Sequence, residues 1–270
     1  VDLTSVDEVR LARTRADLAG LGGDVVPLAG GTGLYAGASP RVLVDLLTLG
    51  WPPVTALPDG GLEIAATCTV AELVDLPPVP GWASQHLVRT CAEALVASTK
   101  VWRAATVGGN VCAALPAGAM TTLLVALDAT AVVWTPDGGT RTLPVLDLVT
   151  GPEVTALAPG EVLRALRLRA AALASRAVLR RAALTVTGRS GTIVVGRRDG
   201  DGTVVVTVTA GVPRPWRAAF AGVPGPAALA AALDGVPEWF DDVHGGPDWR
   251  RAMTARLAAE VRDVLAGEAA

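Results

Sequence analysis

Two glycine pairs, each closing an apolar run, are the residues of this chain whose type and spacing could do chemistry. Gly30 and Gly31 follow Val25–Ala29 in VVPLAGGTGLYAG, and Gly108 and Gly109 follow Ala105–Val107 in ATVGGNVCAALPAG. Each reads as a strand running into a tight turn. Glycine lets bare backbone approach a ligand there, and successive N–H groups in such a turn make a concave anion site. Two loops of this kind could hold one diphosphate from both sides. Each also carries a hydroxyl or amide: Thr32 in the first, Thr106 and Asn110 in the second. Asn110 is the only asparagine and Tyr35 the only tyrosine. Hydrogen bonds to charged groups contribute about 1.5–3 kcal/mol each, so four or five amides would give roughly 6–15 kcal/mol gross, enough for a micromolar ligand after ordering costs.

Rival chemistries fit less well. GGTGLYAG does not have the G-x-G-x-x-G spacing of a dinucleotide-binding turn. No G-x-x-x-x-G-K followed by Ser or Thr occurs, and the single lysine, Lys100, is not placed like a P-loop lysine. His86 and His244 are the only histidines, and they and the tryptophans read as structural. Cys68, Cys91 and Cys112 have neither disulfide nor metal-ligand spacing, which fits a reducing, cytoplasmic setting. A net charge of −3 and pI near 5.5 do not indicate a nucleic-acid surface. The opening VDLTSVDEVR is too polar for a signal peptide. No apolar run reaches the ~20 residues of a membrane span; Thr121–Val133 is interrupted by Asp128.

The elements that must position these loops follow from periodicity and punctuation. Ser5 with Glu8 has capping-box spacing and predicts a helix running toward Gly20, ended by Gly22-Gly23. Val25–Ala29, Arg41–Leu46 and Leu62–Ala66 read as strands, which argues for an α/β layer. Thr69 with Glu72 starts a short helix that Pro77, Pro78 and Pro80 stop. Gln85–Ser98 is helical, with Leu87, Cys91 and Leu95 on one face. A further helix runs through MTTLLVALDA, with Pro116 suited to its first turn. TAVVWTPDGGTRTLPV is a hairpin. After a turn-rich joint at Thr150–Gly160, runs at Val162–Leu168, Ala177–Leu184, Thr192–Val195 and Val204–Thr209 predict an antiparallel sheet. Helices near Ala227–Leu233 and Asp248–Leu265 would back it.

AGGTGL at Ala29–Leu34 together with TVGGN at Thr106–Asn110 closely resembles the FAD-binding subunit of the molybdenum-containing hydroxylases, a family that includes carbon monoxide dehydrogenase and xanthine dehydrogenase. The likeness covers nearly the whole chain: LVDL at Leu43–Leu46, LEIAATCTVAEL at Leu62–Leu73, LLVALDATAVV at Leu123–Val133 and ALAPGEVLRALRL at Ala156–Leu168 fall in the family's order. The resemblance implies an α+β fold, with a PCMH-type (vanillyl-alcohol-oxidase-like) FAD-binding domain at 1–160, in subdomains of about 1–55 and 56–160. A smaller C-terminal α+β domain with an antiparallel sheet would occupy 161–270. It implies that FAD is held by Leu28, Ala29, Gly30, Gly31, Thr32, Gly33, Leu34, Val96, Thr106, Gly108, Gly109, Asn110 and Leu163, without a covalent link through a loop histidine. It also implies electron transfer: clusters of the 2Fe–2S type on a small partner subunit, and a molybdopterin large subunit that hydroxylates substrate.

One departure stands out. After TVGGN most members have a proline and then Ser-Asp, whose acid helps hold the cofactor; here the segment is Pro116-Ala117-Gly118-Ala119. Losing one or two such bonds would weaken FAD by roughly 10- to 10⁴-fold. A non-catalytic assembly subunit of the same fold is therefore an alternative expectation, and a stand-alone flavin oxidoreductase a weaker one.

Overall fold

The computed structural model describes residues 4–34 and 40–267; Tyr35 lies outside them. Three short strands, β1 (Glu8–Leu11), β2 (Val25–Leu28) and β3 (Val42–Asp45), form a parallel sheet in the order β1-β3-β2. β1 corrects the helix expected from Ser5 and Glu8. Val9 and Leu11 alternate with Glu8 and Arg10, the period of a strand, and pairing with β3 outweighs the cap signal. The capping box forms instead between Thr14 and Asp17, on a single 3₁₀ turn at Arg15–Leu18.

The middle of the chain follows as β4 (Val54–Ala56), β5 (Leu62–Ala65), α1 (Val70–Val74), α2 (His86–Ala94), α3 (Thr99–Ala104), α4 (Val107–Cys112), α5 (Ala119–Ala126), β6 (Thr130–Trp134), β7 (Thr140–Pro144), α6 (Val145–Leu148), β8 (Val149–Gly151), β9 (Val154–Thr155) and β10 (Val162–Leu168). β4-β5-β10-β6-β7 is an antiparallel sheet with β10 at its centre. Sequence reading placed this strand beyond a boundary at residue 160; its pairing with β5 and β6 ties it to the residues before that point. Nothing local to Val162–Leu168 encodes that long-range choice of neighbour.

α7 (Ala170–Ala174) leads into β11 (Arg176–Ala182), β12 (Thr192–Arg198), β13 (Val204–Thr209) and β14 (Trp216–Phe220), an antiparallel sheet in sequence order. α8 (Pro226–Asp234) and α9 (Pro247–Ala266) complete the described chain, α9 packing along β11 and β12. The expected antiparallel sheet with its helices is present without Val162–Leu168, which pairs in the middle sheet, and with β14 as an addition.

Three apolar clusters hold these layers. The largest runs from β5 and α1 through α5 and β6 to Leu179, Ile193 and Val195 of the last sheet. A second fills the space between β12, β13, α8 and α9. The third packs Val44, Leu46 and Ala12 of the small sheet against Val162. Trp51 and Trp134 meet edge-on there at 5.3 Å, and the Arg164 guanidinium lies 4.3 Å above Trp51. Every residue of α5 is buried. It lies between α2 on one side and β12 and β13 on the other.

Candidate functional site

The first glycine pair meets the segment that leads into the second. A Cβ placed on Gly30 would fall 1.7 Å from the Ala104 carbonyl oxygen and 3.2 Å from Ala105 Cα. The first loop therefore rests on the last turn of α3, one residue from Thr106. Glycine is needed at position 30 for this contact between backbones. Gly31 has φ +69° and is flanked by the side chains of Leu28 and Leu34. The loop is tied down by Leu46 N–H donating to Leu28 O (2.8 Å) and Leu34 N–H donating to Gly31 O (3.1 Å). Thr32 and Gly33 are exposed. Among the described residues, nothing accepts from the N–H groups of Gly30, Gly31, Thr32 or Gly33.

The second pair departs from the expected strand and turn. Thr106 is the N-cap of α4, its hydroxyl accepting from Gly109 N–H at 3.0 Å, so Gly108 and Gly109 form the first helical turn. Val107 N–H donates to Cys68 O (2.8 Å), Gly108 N–H to Ala66 O (2.9 Å) and Asn110 N–H to Thr106 O (2.9 Å). A Cβ on Gly108 would lie 2.4 Å from that of Ala66. Thr106 itself bridges to Thr69, the capping residue of α1. The Asn110 side-chain oxygen accepts from Met120 N–H at 2.9 Å, in the first turn of α5. The hydroxyl of Thr121, buried in that same first turn, has no partner among the described residues.

Leu163 is buried beside this junction, at an irregularity in the β10–β6 pairing. The carbonyl of the next residue, Arg164, accepts from Ala66 N–H at 3.0 Å. Val96 follows α2 and is 43% exposed at φ +52°. A β-branched side chain in the left-handed region is strained by about 1–3 kcal/mol. It stands two residues before Ser98, which caps α3. Sequence reasoning missed Ala66, Ala104 and Thr69, which position the loops; of these only the Thr69–Glu72 cap left a signal, and that of a helix start.

Neither of two neighbouring clefts is lined by the glycine pairs. One, of about 370 Å³, lies between Arg15, Trp134, Pro136 and Val162. The other, of about 600 Å³, borders Pro53, Thr69, Glu72 and Arg103. Burial pushes the Cys68 and Cys91 thiols up to about 12, which leaves them inert as nucleophiles at neutral pH. The ring nitrogens of His86 sit 2.9 and 3.1 Å from the carbonyls of Ala83 and Ala177, joining α2 to β11. Among the described residues no three His, Cys, Asp or Glu side chains converge as metal ligands, and no helix is long and apolar enough to cross a membrane. What the arrangement offers is a row of open amides on one loop, locked to a second loop by backbone contact.

Residues 6–168 match a family described as the FAD binding domain in molybdopterin dehydrogenase. Solved structures similar in fold include the carbon monoxide dehydrogenase of Hydrogenophaga pseudoflava that lacks the Mo-pyranopterin moiety of its cofactor. It has a TM-score of 0.82 and 22% identity over 98% of this chain and 99% of that one. Reconstituted CO dehydrogenase from Oligotropha carboxidovorans has a TM-score of 0.80 and 22% identity, over 95% and 97%. Quinoline 2-oxidoreductase from Pseudomonas putida 86 has a TM-score of 0.78 and 19% identity, over 97% of each. Among curated proteins none matches the sequence.

Proposed function

We propose, from the premise that this chain belongs to the FAD-binding family of the molybdopterin dehydrogenases, that it is the electron-transfer subunit of a molybdenum hydroxylase assembly. It would work beside a 2Fe–2S subunit and a molybdopterin subunit, in the cytoplasm. The observation that supports this reading is the seating of Gly30 on Ala104 and Ala105, directly before Thr106 of the second glycine segment. The donor set suits the cofactor: the four N–H groups of Gly30–Gly33 can neutralise a diphosphate. Bound there, FAD would supply the one- and two-electron redox chemistry that side chains cannot. Leu28 and Leu34 would wall the loop against water, and Thr106 and Asn110 would fix the second loop beside it. Leu163 would support the junction from the sheet below. Ala29, Val96, Gly108 and Gly109 complete the residues we assign to the cofactor's surroundings.

A second reading, an assembly subunit with weak FAD binding, is favoured by one feature. No carboxylate stands at Pro116–Ala119, and the Asn110 oxygen is already committed to Met120. Titrating the purified chain with FAD, and following quenching of flavin fluorescence, separates the two. A dissociation constant in the micromolar range or tighter supports the electron-transfer subunit. No saturation up to about 1 mM FAD, alone or after co-expression with its partners, rejects it in favour of the assembly role.

A further inference from the structure

We infer that β1 is the seat of a weak homodimer, in which Glu8–Leu11 of two copies pair antiparallel about a two-fold axis at Val9. β1 is an edge strand: β3 lies on one side of it, and among the described residues no strand pairs with the other. The N–H groups of Glu8 and Ala12 donate to Arg41 O (3.3 Å) and Asp45 O (3.2 Å). Backbone groups of alternate residues point to opposite edges of a strand, so Val9 and Leu11 turn their N–H and C=O outward. Both side chains are more than half exposed, at 54% and 53%. They share one face of the sheet, with Glu8 and Arg10 on the other. An open strand edge is a template for pairing with another chain, and proteins blunt it with lysine, proline, a bulge or a covering element. β2, at the opposite edge of the same sheet, carries Pro27, whereas β1 has no lysine, proline or bulge.

Charge complementarity selects a second copy as the occupant and sets the register. With the axis at Val9, Glu8 lies opposite Arg10 of the second copy and Arg10 opposite its Glu8. An axis at Arg10 would oppose two guanidinium groups, one at Glu8 two carboxylates, and one at Leu11 would leave both charges unmatched. The outward backbone groups agree with the Val9 register, because Val9 can then exchange two bonds with its own counterpart. Glu8 and Arg10 fall between bonded pairs, where facing side chains come closest. Opposite charges there are favourable and like charges are not. The two exposed valines stand side by side on one face. A strand of four residues buries less than the roughly 1,200 Å² of a stable interface, which places the dimer among transient ones. β3 separates β1 from β2, the strand that runs into the first glycine loop. Pairing is therefore independent of the FAD reading.

Sedimentation of the full chain between about 1 and 500 μM should show a monomer–dimer equilibrium, with a dissociation constant on the order of 100 μM. Val9→Pro removes the outward N–H without touching a bond to β3, a change that an edge strand tolerates. This variant should be monomeric throughout and keep the wild-type FAD affinity. Glu8→Arg should weaken the dimer about 10-fold by setting a guanidinium against Arg10 of the second copy. Adding Arg10→Glu to it should restore the pairing. A chain still monomeric at about 500 μM, a dimer that Glu8→Arg leaves intact, or one that the double exchange fails to restore would each overturn the inference. Amides of β1 that gain exchange protection only when partner subunits are added would assign the edge to those subunits, and would overturn it as well.

Discussion

Arg250 is 1% exposed, so its charge is solvated by the protein alone. Its guanidinium donates to the carbonyls of Gly245 and Gly191 at 2.6 Å each, to that of Ala210, and to the carboxylate of Asp242. Burial pulls its pKa down and Asp242 opposes that shift. Replacing Arg250 with Met fills the volume but leaves the carbonyls and Asp242 without their donor. We expect Arg250→Met to lower unfolding free energy by about 3–5 kcal/mol, read from urea denaturation. The residues of the glycine loops were visible in the sequence as types and spacing. Their separate tasks were not, because the atoms that fill the Cβ positions of Gly30 and Gly108 belong to Ala104 and Ala66. An alanine whose carbonyl or methyl closes a gap leaves no mark in the sequence.

The short helices α3 and α4 depend on their caps more than on propensity, since each has only six residues. Thr106 carries the larger share, capping α4 and bridging to Thr69 at once. Thr106→Val keeps the shape and the bridge but loses the cap, at about 1 kcal/mol of stability measured by thermal melting. At this scale much of the chain was legible. The Thr69–Glu72 box starts α1, the Pro136-Asp137-Gly138-Gly139 turn joins β6 to β7, and α9 begins within a residue of its expected start. Where two local signals competed, as at Ser5 and Glu8, pairing with a distant strand decided. Gly108 and Gly109 were misread for a related reason. Glycine is a poor helix former, and only the Thr106 cap and the seat on Ala66 let a helix begin there.

The join between the two halves of the molecule is polar at one end and apolar in the middle. Asp128, at φ +56°, follows α5 and accepts from Arg197 (2.7 Å) of β12 and from Arg217 of β14, while Arg197 also donates to Ala126 O at 2.8 Å. Arg197 is 3% exposed, so the pair is shielded from screening. Asp128→Asn keeps the backbone conformation, which asparagine tolerates, and removes the charge. We expect a loss of about 1.5–3 kcal/mol in unfolding free energy, with the FAD affinity unchanged. The order of strands in the middle sheet was beyond sequence reading because strand partners are chosen by the assembled core. The same wrapping of α5 has a consequence for how this gene can be cut. A fragment stopping at residue 168 would strip the last sheet from that helix and bare the wall it shares with Ile193 and Val195. We expect that stretch to fold only with the remainder of its polypeptide, supplied in the same translation product or as a complementing piece, so a product ending at residue 168 should be recovered insoluble.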